Sequence, residues 1–200
     1  MPQVKSLALL FLLSPCAVLC SAAPQQNLSV EPTRSAIVSV TTSEIRIDGL
    51  LEEPDWFNAP KIGELVQREP KTGDNPTERT DITLLHDADN LYIGVMCYDS
   101  EPQKILGTQM ERDADINRSD DRITIVLDTF RDQQNAFYFS TNPAGALVDG
   151  LVFANGQSNN DWDAIWTVRT RRTNQGWSAE FEIPSRASIF LPAGASGVSI

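Results

Sequence analysis

The middle of the chain alternates apolar and polar residues with the two-residue period of β-strands. Residues 119–153 hold three short runs rich in β-branched and aromatic residues, separated by two polar turns. Successive side chains of a strand point to opposite faces, so Ile123, Ile125 and Leu127 share one face of the first run. This pattern predicts a three-stranded antiparallel meander at the centre of the fold.

The same alternation predicts two β-hairpins that flank the meander. They occupy residues 80–98 and 162–183, and polar turn residues separate the two alternating runs of each hairpin. Shorter apolar runs predict further strands at residues 44–49, 62–66, 103–109 and 197–200. The segment 52–59 is predicted to form a single helical turn, since Pro54 is tolerated near the start of a helix.

The spacing of these elements defines the fold class. Roughly ten short strands are predicted, turn residues recur about every 8–12 residues, and helical periodicity is almost absent. We therefore predict an all-β protein in which residues 44–200 form an antiparallel β-sandwich of the immunoglobulin or jelly-roll kind. Residues 24–43, which include Pro24 and Pro32, are predicted to be a linker or a loose N-terminal strand.

Residues 1–23 are predicted to be a signal peptide. Lys5 supplies the positive start, residues 7–13 form an apolar run too short to span a bilayer, and small residues follow for cleavage. Acylation of Cys16 or Cys20 as a lipoprotein is the alternative to plain cleavage. We expect an exported protein that is periplasmic, associated with the outer membrane, or extracellular.

Composition and charge narrow the classes of partner. The net charge is -11 and the sequence pI is about 4.5, which argues against nucleic acid and anionic membranes because both need a basic face. A cation or a neutral ligand such as a sugar is compatible with this charge. Cleavage of the signal peptide leaves Cys97 as the one cysteine, which alternates with apolar residues and is expected to be a small buried side chain.

Motifs of the common catalytic sites are absent from the sequence. It contains no G-x-S-x-G elbow, Walker loop or H-E-x-x-H motif, and its one histidine, His86, lies on an apolar-alternating face. Asp120 and Asp121 are adjacent and point to opposite faces of a strand, so they cannot form the facing carboxylate pair of a glycosidase. A pair of carboxylates distant in sequence stays open. We expect a binding module rather than an enzyme.

Oxygen-bearing side chains before the meander suggest a structural calcium site. Their spacing matches the first half of an EF-hand loop, but Arg118 replaces its glycine and Thr124 replaces its bidentate glutamate, so an EF-hand is excluded. The candidate ligands are Asp113, Asp115, Asn117, Asp120 and Asp121. A solvated acidic loop without calcium is the alternative.

Tryptophans after the meander are the candidate platform for a ligand. Trp162 and Trp166 share one predicted strand face, and the polar loop 154–161 leads directly into Trp162. An aromatic ring can stack on the apolar face of a pyranose while amide and carboxylate groups bind its hydroxyls. The candidate carbohydrate site comprises Trp162, Asn159, Asn160, Asp163 and Trp166. The alternative is that both tryptophans belong to the core.

An ordered series of motifs along residues 44–190 resembles family 9 carbohydrate-binding modules. The motifs are I-D-G-L at 47–50, E-P-D-W at 53–56, D-N-L-Y-I-G-V at 89–95, S-D-D at 119–121, L-D-T-F at 127–130, N-P-x-G at 142–145, D-W-D at 161–163 and G-W-S-A-E-F-x-I-P at 176–184. The resemblance implies a β-sandwich that binds carbohydrate without catalysis, holds structural calcium and accompanies glycoside hydrolases. It also implies Trp162 as one partner of the family's aromatic clamp on a sugar.

The series is also similar to a family 9-like periplasmic domain that precedes the β-barrel of large bacterial outer-membrane proteins. A chain of 200 residues would then be a fragment or a stand-alone relative. An interaction or gating domain for an outer-membrane assembly, with no sugar site, is the alternative function. The wider superfamily includes haem-binding sandwiches, for which Met96, Met110 and His86 are the candidate ligands here, and we rank haem below sugar.

Overall fold

Short β-strands dominate a computed structural model of the protein, which describes residues 35–63, 65–117, 119–153, 156–185 and 198–199. The strands are β1 (Ser35–Ala36), β2 (Ser39–Val40), β3 (Lys61–Ile62), β4 (Thr80–His86), β5 (Asn90–Tyr98), β6 (Ile123–Leu127), β7 (Ala136–Thr141), β8 (Val148–Phe153), β9 (Gln157–Asn159), β10 (Thr167–Thr173), β11 (Gly176–Pro184) and β12 (Val198–Ser199). The helical elements are α1 (Pro54–Asn58) and a 3-10 turn (Pro102–Lys104). The predicted signal peptide lies outside the described residues.

Two sheets form the sandwich. The first has six strands. Five of them have the order β10-β11-β5-β4-β2, and the sixth, β3, also pairs with β4. The second has the order β6-β7-β8-β9, which contains the predicted meander, and β1 pairs with β12 in a separate ribbon. All pairings are antiparallel except that of β2 with β4. The prediction of an all-β sandwich is confirmed.

The main core lies between these two sheets. Ile93 of β5 pairs in register with Phe181 of β11, so both side chains point inward, where they join Phe137 and Phe139 of β7 in one apolar cluster. Phe139 and Phe181 are completely buried. Removing a large apolar side chain of this kind from water stabilises the folded state by about 1.5–3 kcal/mol. This core fixes the sheet that carries the candidate site.

The outer face of the six-stranded sheet is covered by the segment that contains α1. Ile45 and Trp56 pack on Leu85 and Tyr92 in a second apolar cluster, and the predicted helical turn is confirmed. The predicted strand at residues 44–49 is wrong, because these residues form no β-strand and residues 48–49 make a bend.

A side chain, rather than a neighbouring strand, accepts the hydrogen bonds of this segment. The backbone N–H groups of Asp48 and Gly49 donate to Oε2 of Glu180 at 2.9 and 2.7 Å, and the indole Nε1 of Trp56 donates to Oε1 at 3.1 Å. Buried backbone donors need an acceptor, and the carboxylate supplies it in place of a sheet ladder. The segment is therefore held on β11 without forming a strand.

Three further predictions differ from the structure. Residues 103–109 form no strand, because the N–H of Leu106 donates to the Asp121 carboxylate at 2.7 Å instead of to a strand partner. The polar loop 154–161 contains β9, and β10 begins at Thr167 rather than at residue 162. The described part of the segment 24–43 contributes the two-residue strands β1 and β2, which agrees with the alternative of a loose N-terminal strand. Within the described residues, no helix is both long and apolar enough to cross a membrane.

Candidate functional site

Trp162 follows β9 and packs on the inner face of the four-stranded sheet. Its ring centroid lies 4.8 Å from that of Phe137 and 6.4 Å from that of Phe139, both of which belong to β7. The side chain is only partly buried and packs at the margin of the main core. Trp162 therefore combines a packing role with partial exposure, so neither alternative from the sequence describes it alone.

Trp166 lies deeper in the same core. It is 6% exposed, its ring is nearly parallel to that of Phe181 at 5.9 Å, and it meets Phe139 edge-on at 5.2 Å. A ligand could stack on this indole only after the core had repacked. We therefore do not carry Trp166 into the proposed site.

Asn159 and Asn160 are exposed, and Tyr138 fixes the second of them. The Tyr138 hydroxyl donates to Oδ1 of Asn160 at 2.9 Å, whereas Oδ1 of Asn159 accepts the N–H of Asp161 at 2.9 Å within the local turn. Tyr138 neighbours Phe137 on β7, so the two rings point to opposite faces of the sheet. Asn160 therefore lies on the outer-face side, while Trp162 packs on the inner face.

Gly150 makes room for the Tyr138 ring. It pairs with Tyr138 across the β7–β8 ladder, and a Cβ at this position would lie 2.7 Å from the Tyr138 ring and its hydroxyl oxygen. An atom at that distance would displace the ring, and with it the hydrogen bond to Asn160. The glycine thus contributes to the position of the Asn160 amide.

Asp163 belongs to a group of three carboxylates around one arginine. Nη2 of Arg112 lies 3.1 Å from Asp163 and 2.6 Å from Asp149, and Nε of Arg112 lies 3.6 Å from Asp113. Asp149 is completely buried and also accepts the N–H of Ala164 at 2.6 Å. Burial raises the pKa of Asp149, and the Ala164 N–H and the Arg112 charge act against this rise. Arg112 thereby fixes the exposed Asp163 carboxylate next to Trp162.

The Asp120 carboxylate holds neighbouring loops together through hydrogen bonds. It accepts the N–H and hydroxyl of Thr108 at 2.9 and 2.8 Å, the Gln109 N–H at 3.1 Å and the Asn142 side-chain amide at 2.6 Å. Burial acts to raise the pKa of Asp120, but these hydrogen bonds lower it to about 2. Because the carboxylate oxygens already accept these hydrogen bonds, Asp120 is a structural group rather than an available calcium ligand.

Calcium requires several oxygen ligands around one point. Among the candidate ligands, Asp121 accepts the Leu106 N–H at 2.7 Å and Asp115 accepts the Asn117 N–H at 3.2 Å. Within the described parts of the chain, one group of three carboxylates has ligand atoms within 4.8 Å of one another, and it comprises Asp113, Asp149 and Asp163. Arg112 already supplies a positive charge to this group. The residues present therefore do not fit a calcium ion there.

The candidate haem ligands do not share a face. Met96 pairs with Asp81, and His86 lies five residues further along the same strand, β4, so Met96 and His86 point to opposite sides of the sheet. Met110 is 74% exposed on a loop.

Burial raises the pKa of Cys97 to about 11, so its thiol is protonated at neutral pH and is a poor nucleophile.

Three site residues were not singled out from the sequence. Tyr138 alternates with Phe137 and Phe139 in the predicted meander, and this alternation marks it as outward-facing. Asp149 is a lone acid within the apolar run 147–153, which indicates a buried and partnered carboxylate. Arg112 lies in a charged loop, where no local pattern distinguishes it.

Comparisons with known proteins agree with this architecture. No protein-family model and no curated protein matches the chain. A family 9 carbohydrate-binding module from Caldicellulosiruptor kristjanssonii, solved in complex with cellotriose, aligns with a TM-score of 0.51 and 17% identity, over 74% of this chain and 67% of that chain. A Bacteroides uniformis protein proposed to bind carbohydrate aligns with a TM-score of 0.57 and 11% identity, over 75% of this chain and 72% of that chain.

Identities this low establish similarity of fold alone. The two sheets agree with these alignments, and the resemblance seen in the sequence is confirmed at the level of fold. The chain therefore has the fold of family 9 carbohydrate-binding modules.

Proposed function

We propose that this chain is a non-catalytic carbohydrate-binding module. The observation that carries the proposal is that two polar side chains of the segment around Trp162 are fixed by other parts of the chain: Arg112 holds the Asp163 carboxylate, and Tyr138 holds the Asn160 amide at the edge of the same sheet. The shared fold with a module solved in complex with cellotriose supports the same conclusion. Fixed amide and carboxylate groups in the same short segment as a partly exposed tryptophan suit a ligand with several hydroxyls.

The chemistry of each group supports a sugar ligand. Oδ1 of Asn160 accepts the Tyr138 hydroxyl, so its amide nitrogen is oriented with two N–H donors for a ligand oxygen. The Asp163 side chain is 67% exposed, and its charge-assisted contact with Arg112 reduces its conformational freedom. Holding these groups before binding lowers the entropy that a sugar must overcome.

We further propose that the module is exported and that it assists a glycoside hydrolase rather than cleaving glycosidic bonds itself. The signal-like N-terminus and the family resemblance support export and this association. The catalytic motifs missing from the sequence support a binding role. The partner would be an oligosaccharide or polysaccharide of neutral sugars, since the chain carries a net charge of -11.

Native gel electrophoresis in the presence of soluble β-glucan or xylan tests this proposal. We expect the polysaccharide to retard the wild-type protein, and we expect Asn160→Ala or Trp162→Ala to reduce that retardation. Asn75→Ala is the matched control, because Asn75 is also exposed but lies in the loop between β3 and β4, away from both Trp162 and Asn160 in the chain. Equal retardation of wild type and both site variants, each with a normal melting transition, would contradict the assignment of this site.

A further inference from the structure

A cavity of about 420 Å³ lies on the outer face of the six-stranded sheet, on a different sheet from the proposed site. Its floor is formed by outward side chains of β4, β5 and β11. One wall is the segment 50–57, and the other is the β10–β11 turn. The floor residues are Asp81, Thr83, Met96, Tyr98 and Ser178, and the walls include Leu51, Glu52, Phe57, Asn174 and Gln175.

Both walls of this cavity are fixed by contacts with the sheet. Leu51 and Trp56 lie directly over Gly94, where a Cβ would come within 2.7 Å of the Leu51 side chain and 2.9 Å of the Trp56 ring. On the opposite side, Gly176 lies so close to the Cys97 carbonyl that no Cβ could be accommodated, and the backbone carbonyl of Gln175 accepts the N–H of Asp99 at 2.9 Å. The cavity is therefore formed before any ligand arrives, as is usual for small-molecule sites.

The charges in the floor are balanced. Asp81 is 5% exposed and accepts two hydrogen bonds from Arg79, at 2.8 and 2.7 Å, while Nζ of Lys61 lies 3.9 Å away. The same arginine covers the Tyr98 ring, with its guanidinium carbon 5.1 Å from the ring centroid. Because the buried carboxylate is already paired, the floor requires no ionic ligand to neutralise it.

The upper part of the cavity combines an aromatic surface with neutral polar groups. Phe57 is 66% exposed at one wall, and the exposed residues Asn174 and Gln175 line the same cavity from the β10–β11 turn. A charged ligand of either sign would meet a like charge, because both Lys61 and Glu52 line the cavity. An apolar ligand would bury the amides without hydrogen bonds, at a cost in free energy. A neutral ring with one apolar face and several hydroxyls satisfies both kinds of surface.

We propose that this cavity is a second binding site that takes a single pyranose unit. The apolar ring face lies against Phe57, and the hydroxyls bind the amides of Asn174 and Gln175 and the carboxylate of Glu52. Two sugar sites on different sheets would let one copy contact two polysaccharide chains, which raises the effective affinity for an insoluble substrate.

Side-chain signals in the NMR spectrum of the ¹⁵N-labelled chain test this second site. The probes are glucose, xylose and galactose, titrated separately up to their solubility limits. We expect at least one of them to shift the amide signals of Asn174 and Gln175 and the indole signal of Trp56 in a saturable manner. Phe57→Ala is expected to weaken this response about tenfold or more, as removal of an aromatic anchor does at other interfaces.

Phe130→Ala is the matched control, because Phe130 is 62% exposed and lies in the β6–β7 turn. This variant should leave the titration of the cavity signals unchanged, and Asn160→Ala should do the same because it alters the other site. The proposal is overturned if none of the three sugars shifts these signals, or if the shifts persist with the same affinity in Phe57→Ala. A response of Asn160 alone would support the first site while overturning the second.

Discussion

At the scale of single residues, Arg112 has the position that a bound cation would otherwise take. Its guanidinium lies within 3.6 Å of Asp113, Asp149 and Asp163, and Asp149 has no exposed surface. A buried carboxylate is stable only when it is paired or hydrogen-bonded. Arg112 therefore stabilises the fold and, through Asp163, positions the proposed sugar site.

Replacing this arginine should destabilise the protein without any involvement of calcium. We expect Arg112→Ala to lower the free energy of unfolding by about 2 kcal/mol, since it leaves the Asp149 carboxylate without its cationic partner. Chemical denaturation measures this loss. Arg46→Ala, whose side chain is 82% exposed, is the control and should change stability by less than about 0.5 kcal/mol.

Thermal melting with and without a chelator tests whether a metal ion, rather than Arg112 alone, balances these carboxylates. We expect the same wild-type melting temperature with excess chelator and with added calcium, because no calcium is bound. A calcium ion that bound only the folded state would raise the melting temperature, and the chelator would remove that increase. A fall in the wild-type melting temperature on adding chelator would show that a cation is bound and would contradict the role assigned to Arg112.

At the scale of elements, Glu180 holds the α1 segment on the six-stranded sheet. The carboxylate has no exposed surface and accepts the N–H groups of Asp48 and Gly49 and the Trp56 indole. Burial raises its pKa to about 7, and the nearby charges of Glu53 and Asp48 act in the same direction. The backbone hydrogen bonds oppose this rise but do not cancel it.

Stability should therefore fall as the pH rises from 5 to 8. A folded-state pKa raised from 4.5 to about 7 gives stability that is complete below pH 4.5 and is lost as the pH passes 7. We expect the wild-type free energy of unfolding to fall by an amount on the order of 2 kcal/mol across this range. Among the described residues, acids whose pKa is lowered, such as Asp120, stay ionised over the whole range from pH 5 to pH 8.

Glu180→Gln isolates this contribution, because the amide cannot ionise. Urea unfolding of both proteins at pH 5 and pH 8 gives the two slopes, and the variant should lack most of the wild-type decrease. If both proteins show the same change between these pH values, the titration of Glu180 does not govern it.

How much of the fold the sequence predicts depends on where each element finds its partners. β4 and β5 were predicted to within one residue, because alternation and the turn between them are local signals. The strand predicted at residues 44–49 was wrong because its N–H groups are accepted by Glu180, more than 130 residues away in sequence. A long-range acceptor of this kind leaves no trace in a local pattern.

The candidate site shows the same limit. Asn160 and Trp162 are two residues apart in the sequence, but the chain passes from the outer-face side of the sheet to its inner face between them. The partners that fix the site, Tyr138 and Arg112, come from other segments of the chain, so spacing within the segment 154–163 could not identify them.

At the scale of the whole molecule, the sandwich presents candidate ligand surfaces on both sheets. The proposed site lies beside β7 and β9, and the cavity lies over β4, β5 and β11. The net charge of -11 repels anionic polymers, so we expect the protein to prefer neutral polysaccharides. Binding of an uncharged sugar should also vary little with salt concentration.

Titration calorimetry with cellotriose tests whether the protein binds sugar beside Trp162. We expect a saturable heat of binding for the wild-type protein. Asn160→Ala should reduce this heat, and Phe57→Ala should leave part of it. The claim of sugar binding beside Trp162 is contradicted if folded wild-type protein gives no heat, or if the whole heat survives in Asn160→Ala.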